Sequence, residues 1–198
     1  MKTPAYHKSL ETLHVNCLEP RAYFIPFADE KTAATRERSE SDYFVPLCGE
    51  WDFRFFKSFE DVLREPPEYV GEGGFDKIAV PRSWQTYTDR GYDVPLYSNL
   101  EYPFPTDPPI VPDENPSGLY VRKFTLDEQL SSRELFLNFE GVDSSFNVRL
   151  NGKFVGFSEV SHCMSEFDVT DFAVSGENTL CVLGVKWCPG TYLEDQDC

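Results

Sequence analysis

The sequence predicts an all-β protein, an antiparallel β-sandwich, and three observations carry this prediction. Short segments that alternate apolar and polar residues recur from residue 51 onward, and few stretches have helical periodicity. An Asn-Gly pair stands between two of these segments, which is a typical signal of a tight hairpin. Phe, Tyr and Trp make up 15% of the 198 residues, so the chain has the large side chains that a packed interior needs.

The first 45 residues are expected to form an irregular, extended N-terminal segment (1–45), and residues 46–198 the sandwich domain. The segment mixes charged residues, prolines and short apolar pieces without a sustained period. Within it, residues 29–42 are charged and nearly devoid of large apolar side chains, which predicts an exposed connector or a short helix.

The domain is expected to begin with a strand and a short helix. Residues 51–55 (WDFRF) alternate apolar with polar side chains, which predicts a half-buried strand with Trp51 in the core. Ser58 is a candidate N-cap for a helix over residues 58–64, because acidic residues follow in the first turn. Residues 77–84 (KIAVPRSW) predict a second strand that runs into a loop.

A long Pro-rich segment covers residues 85–118 and is dominated by Tyr, Pro, Asp and Asn. Proline lacks the backbone N–H that a central strand or a helix needs, so this segment predicts a loop. A loop of this length within a compact domain usually has a function.

Strands are expected in quick succession after the loop. Both residues of Asn151-Gly152 tolerate a positive φ, so we predict a two-residue hairpin turn at this pair. The expected strands are residues 119–124, 135–139, 146–150, 153–157, 167–169 and 179–187. Many short strands with little helix indicate an antiparallel sandwich.

The net charge of −16 argues against a nucleic-acid partner, because phosphate binding needs clustered Lys and Arg. Surface solubility is the simplest explanation of the charge, and a cation site built from a few carboxylates is the alternative. The longest apolar runs have only a few residues, so we expect no membrane span. The N-terminal MKTPAYHKSL lacks the apolar stretch of a secretory signal, which predicts a cytoplasmic protein.

The six cysteines are expected to be reduced and structural. No two have CxxC spacing, and the chain is much longer than a disulfide-stapled miniprotein. Cys181 lies in an apolar segment, where a free thiol behaves as a small hydrophobe. His162 and Cys163 are adjacent and have no second pair of ligands nearby, so we expect no zinc site.

Several motifs, in order along the chain, carry a resemblance to a known family. They are GVDSSF at 141–146, LNGKFVG at 150–156, SEFDVT at 165–170 and GEN at 176–178. This set resembles the sugar-binding domain that opens glycoside hydrolase family 2 enzymes, a jelly-roll sandwich of the galactose-binding-domain-like type. PRSWQ at 81–85, the Pro-rich loop after it and TYLEDQD at 191–197 look like the large bacterial β-galactosidases of that family. The resemblance covers residues 14–198.

The resemblance implies substrate contacts at Asn99 and Asp197. In the resembling enzymes the Asn of a YxN segment and the last Asp of YLEDQD reach the mouth of the active site. There the Asp also helps to hold a monovalent cation, Na⁺ or K⁺, beside the galactose. Amide and carboxylate groups suit neutral sugar hydroxyls, although without the motifs Asn99 would be a turn former and Asp197 a solvated carboxylate. Trp84, Trp187 and Tyr97 are candidates for stacking on a sugar, but core packing is the commoner role of such residues.

No catalytic residue is expected in this chain. A retaining glycosidase needs two carboxyl groups about 5 Å apart, and in the resembling family both are glutamates on a downstream TIM barrel. We therefore expect the N-terminal domain of a β-galactosidase, cut before its barrel, without a cofactor of its own and inactive alone. For the full-length enzyme the resemblance implies β-galactoside substrates such as lactose, Na⁺ or K⁺ together with Mg²⁺, and a homo-oligomer. A freestanding carbohydrate-binding module and a purely structural or oligomerisation domain remain open as alternatives.

Overall fold

A computed structural model describes residues 4–64, 73–96 and 103–194 of the chain. Its strands are β1 (His14–Val15), β2 (Gly49–Phe56), β3 (Asp76–Val80), β4 (Ser117–Leu126), β5 (Phe136–Phe139), β6 (Ser145–Leu150), β7 (Lys153–Ser158), β8 (Ser165–Asp168) and β9 (Gly176–Val185). Its α-helices are α1 (Glu30–Thr35), α2 (Phe59–Leu63), α3 (Glu128–Ser131) and α4 (Thr191–Glu194). A seven-stranded sheet has the order β1-β7-β6-β9-β4-β2-β3, and a two-stranded sheet pairs β5 with β8. Every pairing is antiparallel, so the predicted fold class is confirmed.

Each predicted strand has a counterpart, and the predicted short helix is α2, with Ser58 as its N-cap. The Ser58 hydroxyl accepts a hydrogen bond from the Glu60 amide, as a capping residue does. β9 starts three residues before its predicted first residue, Thr179, because it pairs with β4 over the whole length of that strand. The short elements β1, α3 and α4 were not predicted. No helix among the described residues is long and apolar enough to cross a bilayer.

The hairpin between β6 and β7 turns at the predicted Asn-Gly pair. Asn151 has φ +52° and Gly152 has φ +77°, so both turn residues are in the left-handed region, as a type I′ turn requires. The Asn151 side chain also accepts a hydrogen bond from the Thr179 amide at 2.9 Å and donates one to the Phe172 carbonyl at 2.9 Å. The same asparagine therefore forms the turn and attaches it to β9.

The main core lies between the two sheets. Alternate residues of the large sheet point toward β5 and β8, where they pack against Phe167 of the small sheet. Trp51 belongs to this core and is 5% exposed, as predicted, and its indole N–H donates to the Leu47 carbonyl at 2.7 Å. Burying an aromatic side chain of this kind contributes about 2–3 kcal/mol to the free energy of unfolding.

Parts of the N-terminal segment pack on the sandwich. The Tyr6 ring lies 5.3 Å from that of Phe157, and the His7 ring lies 4.2 Å from that of Phe59 on α2. Further along, the Arg21 guanidinium makes two hydrogen bonds of 2.7 and 2.9 Å to the Glu166 carboxylate on β8. These contacts join residues of the 1–45 segment to both sheets.

The five cysteines within the described residues are free thiols, as expected; Cys198 lies outside those residues. Burial raises the pKa of the Cys181 thiol to about 11, so the side chain is neutral and acts as an apolar group on β9.

Candidate functional site

The two predicted substrate-binding residues, Asn99 and Asp197, both lie outside the described residues, as does Tyr97. Their flanking segments are described: residues 85–96 and 103–116 on either side of Asn99, and residues 186–194 before Asp197. The structure brings these flanks together at one corner of the domain.

The beginning of the Pro-rich loop is held on β2 and β3 by an aromatic cluster. Trp84 is 4% exposed and its ring stacks on Phe53, with 6.0 Å between centroids. The Tyr87 hydroxyl accepts a hydrogen bond of 2.7 Å from the Ala79 amide of β3. Trp84 is therefore a core residue, and its stacking on a sugar, which the sequence left open, is wrong.

Tyr92 fixes the loop immediately before Asp93. Its hydroxyl donates a hydrogen bond to the Asp76 carboxylate at the start of β3. Burial, together with this hydrogen bond, raises the pKa of Tyr92 to about 12, so the hydroxyl keeps its proton at neutral pH.

Asp93 forms an ion pair with Lys186, just beyond the end of β9. The two side chains are only 14% and 10% exposed, so the pair is largely shielded from water. The Lys186 ammonium also lies 4.7 Å from the centroid of the Trp187 ring. Separation of the two side chains would leave each charge poorly solvated and without its partner, which is unfavourable. The pair therefore holds this part of the loop against the end of β9.

Phe104 anchors the loop on the other side of Asn99. Its ring makes edge contacts with Trp187 and Tyr192, at centroid distances of 5.1 and 5.8 Å. The Tyr192 hydroxyl donates to the Ile110 carbonyl and accepts a hydrogen bond from the Asp107 amide at 3.4 Å. Trp187 is half-buried in this contact, so it packs against the loop.

Asn115 completes the attachment near the start of β4. It hydrogen bonds to both backbone groups of Trp187, and the Pro116 carbonyl accepts a bond of 2.9 Å from the Lys186 amide. Sequence reasoning missed Asn115, Lys186 and Asp93. The only signal in the sequence was the dipeptide Asn115-Pro116. It indicates a turn at this position but does not identify Trp187 as the residue to which Asn115 bonds.

A cleft of about 1870 Å³ opens between the two sheets. Its walls are mainly apolar and include Trp51, Leu135, Phe139 and Val182, while Thr191 of α4 also lines it. Such walls suit apolar groups better than hydroxyl-rich sugars, which need fixed hydrogen-bonding partners. Among the described residues, no group of three or more His, Cys, Asp or Glu side chains is arranged to hold a metal ion.

Known proteins are similar in sequence to this chain over nearly its whole length. Residues 44–198 match the family model described as "Glycosyl hydrolases family 2, sugar binding domain". A β-galactosidase of Actinobacillus pleuropneumoniae is 46% identical over 197 residues, which cover 100% of this chain and 19% of that protein. A β-galactosidase of Staphylococcus xylosus is 42% identical over 202 residues, covering 97% of this chain and 19% of that protein. The chain thus spans about a fifth of the length of these curated relatives.

Solved structures share the fold. A Bifidobacterium dentium β-glucuronidase complexed with coumarin-3-O-glucuronide matches with a TM-score of 0.52 and 26% identity, over 71% of this chain and 19% of that one. A Ruminococcus gnavus β-glucuronidase in complex with D-glucuronic acid matches with a TM-score of 0.53 and 18% identity, over 71% and 21% of the two chains. At 18% identity the second likeness concerns the fold alone.

Proposed function

Because this chain belongs to the sugar-binding domains of glycosyl hydrolase family 2, we propose that it is the N-terminal domain of a β-galactosidase that acts on substrates such as lactose. One observation carries the proposal. The chain is 46% and 42% identical to two β-galactosidases over nearly its full length, but 26% identical to the β-glucuronidase of similar fold.

In this proposal Asn99 and Asp197 supply part of the wall of the active site. Asn99 is five residues before Phe104 and Asp197 is five residues after Tyr192. Five residues of extended chain reach about 17 Å, and the Phe104 and Tyr192 rings lie 5.8 Å apart. These anchors support the convergence of the Asn99 amide and the Asp197 carboxylate on one pocket, where both can bind sugar hydroxyls.

Asp197 is also the proposed ligand of a monovalent cation, Na⁺ or K⁺. A carboxylate oxygen is a hard donor, of the kind that hard cations prefer. We assign the remaining ligands, and the Mg²⁺ site of the full-length enzyme, to the downstream domains. The described residues hold no cluster of three possible ligands.

Catalysis is assigned to the downstream part of the protein. The two carboxyl groups of a retaining glycosidase would stand on a TIM barrel there, and relatives five times as long as this chain have room for one. The packing of the tryptophans favours this proposal over a freestanding carbohydrate-binding module, which needs an exposed aromatic platform. Trp51 and Trp84 are buried, and Trp187 packs against Phe104.

Hydrolysis assays on the full-length protein test the proposal. We expect turnover of o-nitrophenyl β-galactoside that exceeds turnover of p-nitrophenyl β-glucuronide, and none by the 198-residue chain alone. Asp197→Ala should sharply lower galactoside turnover and its dependence on Na⁺ or K⁺, whereas Asp171→Ala, at an exposed carboxylate, should not. A preference for the glucuronide would contradict the assigned substrate. Turnover by the isolated chain that a substitution within it abolishes would contradict the assignment of catalysis.

A further inference from the structure

The first described residues lie over β7 and α2 as a short strap, here defined as residues 4–9. A turn of 3-10 helix (Tyr6–Lys8) forms its middle. The Tyr6 ring lies 5.3 Å from that of Phe157 on β7, and the His7 ring meets that of Phe59 on α2 edge-on, at 4.2 Å. The strap therefore covers apolar side chains of both the sheet and the helix.

Side chains, and not the backbone, attach the strap to the domain. Among the described residues, the backbone–backbone hydrogen bonds of residues 5–9 all stay within the turn. Beyond the strap, Leu10 and Leu13 are 61% and 48% exposed, and pairing with β7 starts only at β1. The strap can thus detach without breaking the sheet.

His7 is the most deeply buried residue of the strap. It is fully buried, whereas every other residue of the strap is at least partly exposed. Neither of its ring nitrogens has a hydrogen-bond partner among the described residues. A neutral imidazole can occupy such an apolar contact, but an imidazolium there would be a buried charge without a partner, which is strongly unfavourable.

The charged groups around the strap come from the strap itself, α2, the Pro-rich loop and the ends of β7. Lys8 pairs with Glu60 at 3.6 Å and with Asp113 at 3.4 Å, in largely exposed ion pairs that stabilise little. Lys8 also places a like charge beside His7. Burial, followed by this charge, lowers the pKa of His7 from 6.5 to about 4. The charged residues of these elements are Lys8, Glu60, Asp61, Asp113, Lys153 and Glu159.

We propose that residues 4–9 are an acid-released strap: the neutral ring of His7 holds them on α2, and protonation of this ring detaches them and uncovers Phe59 and Phe157. With the strap in place these two phenylalanines are 1% and 0% exposed. The strap is independent of the proposed function, because none of its contacts involves the residues assigned to sugar binding. Since the pKa of the ring is 6.5 when it is free and about 4 when it is docked, the docking equilibrium constant falls about 20-fold between pH 7 and pH 5.

Hydrogen–deuterium exchange of the 198-residue chain, followed by mass spectrometry, tests the strap. The Lys8 and Ser9 amides are hydrogen bonded within the turn at 3.2 and 2.9 Å, so their protection follows docking. After correction for the intrinsic exchange rate, we expect this protection to fall about 20-fold from pH 7 to pH 5, while that of β4 and β9 stays unchanged. Constant protection of the strap would overturn the proposal, and so would an equal fall in β4 and β9, which indicates global unfolding.

Three variants separate His7 from the other groups that a change of pH affects. His7→Leu should make the protection of the strap independent of pH. His14→Gln is the matched control, at a histidine whose Nδ1 lies 3.0 Å from the Ser158 hydroxyl, and should respond as the wild type does. Lys8→Met should keep the response, although both ion pairs of Lys8 are lost. A response that persists in His7→Leu, or disappears in either of the other variants, would overturn the proposal.

NMR of the wild-type chain gives a readout that needs no variant. At pH 7 nuclear Overhauser effects should connect the rings of His7 and Phe59, which lie 4.2 Å apart. As the pH is lowered, these effects should weaken in step with the protonation of His7, which the signals of its own ring report. Ring contacts that survive this protonation, or that are lost before it, would overturn the proposal, whether or not His7→Leu folds.

Discussion

Asn115 uses both ends of its side-chain amide to hold the backbone of Trp187. Its Nδ2 donates to the Trp187 carbonyl at 2.7 Å, and its Oδ1 accepts from the Trp187 amide at 2.9 Å. The two residues are 72 positions apart, and Asn115 is fully buried. The Asn115 amide thus satisfies the backbone N–H and C=O of Trp187, as the backbone of a neighbouring strand would. It attaches the end of the Pro-rich loop to the residues that follow β9.

Asn115→Ala should lower the free energy of unfolding by about 2–3 kcal/mol, because two hydrogen bonds are lost and two part-buried backbone groups of Trp187 lose their partner. Urea denaturation measures the change. Asn147→Ala is the matched control: Asn147 is 3% exposed, and its amide has no hydrogen-bond partner among the described residues. Its substitution should cost much less, so an equal loss in the two variants would show that Asn115 acts by filling space.

Gly118→Ala should lower the free energy of unfolding by about 1–3 kcal/mol through overpacking. A Cβ atom at this position would lie 2.6 Å from the rings of both Phe53 and Trp84, which also hold the start of the Pro-rich loop. The control is Gly141→Ala, where a Cβ atom would meet nothing within 4 Å. Thermal denaturation should separate the two variants, and equal melting temperatures would mean that the aromatic cluster can rearrange without cost.

The sequence was sufficient wherever the cause of a structure is local. The turn at Asn151-Gly152 follows from the tolerance of both residues for positive φ, and the helix cap at Ser58 from its hydroxyl and the acidic residues after it. The alternation around Trp51 identified a buried face, because side chains of a strand point to opposite sides in turn.

Long-range pairings could not be predicted in the same way. Lys186 and Asp93 are 93 positions apart, and each looks in the sequence like an ordinary surface charge. Trp84 is identified as a core residue only once Phe53 and Tyr120 are seen beside it. The choice of Asn99 and Asp197 as binding residues depends on motifs alone, since no local rule separates them from other loop residues.

His7 should make the stability of the chain depend on pH. It is fully buried without a hydrogen-bond partner among the described residues, and burial, followed by the charge of Lys8, lowers its pKa from 6.5 to about 4. The folded state therefore favours the neutral imidazole. Above pH 6.5 the imidazole is neutral in both the folded and the unfolded state, and the free energy of unfolding has its full value. As the pH falls toward 4, the unfolded state gains a proton first, and the free energy of unfolding decreases by about 3 kcal/mol in all.

Unfolding of the wild type and of His7→Leu at pH 7 and at pH 4 measures this contribution. The leucine variant should lose less stability between the two values, since it cannot gain a proton, while the exposed control His162→Asn should behave as the wild type. An identical pH dependence in the wild type and His7→Leu would contradict the burial of an unprotonated His7.

Gly152→Val should destabilise the β6–β7 hairpin by about 1–2 kcal/mol, because a β-branched residue resists the left-handed region. A Cβ atom there would meet nothing within 4 Å, so any loss must come from the backbone, whose φ is +77°. Gly152→Asn is the control, since asparagine tolerates this conformation. Calorimetry should give a lower melting temperature for the valine variant than for the asparagine variant, and the reverse order would contradict the type I′ turn.

The isolated chain should bind galactose more weakly than about 10 mM, which corresponds to a binding free energy of about −3 kcal/mol. Asn99 and Asp197 would supply only part of one wall of the pocket, and each hydrogen bond to a hydrated sugar contributes about 1 kcal/mol after exchange with water. The loss of translational and rotational freedom opposes even this small gain. Titration calorimetry, or NMR shift mapping with galactose, measures the affinity directly, with Asn99→Ala as the variant that should remove any weak signal. Micromolar affinity of the isolated chain for galactose or another glycan would contradict this account and favour a freestanding carbohydrate-binding module.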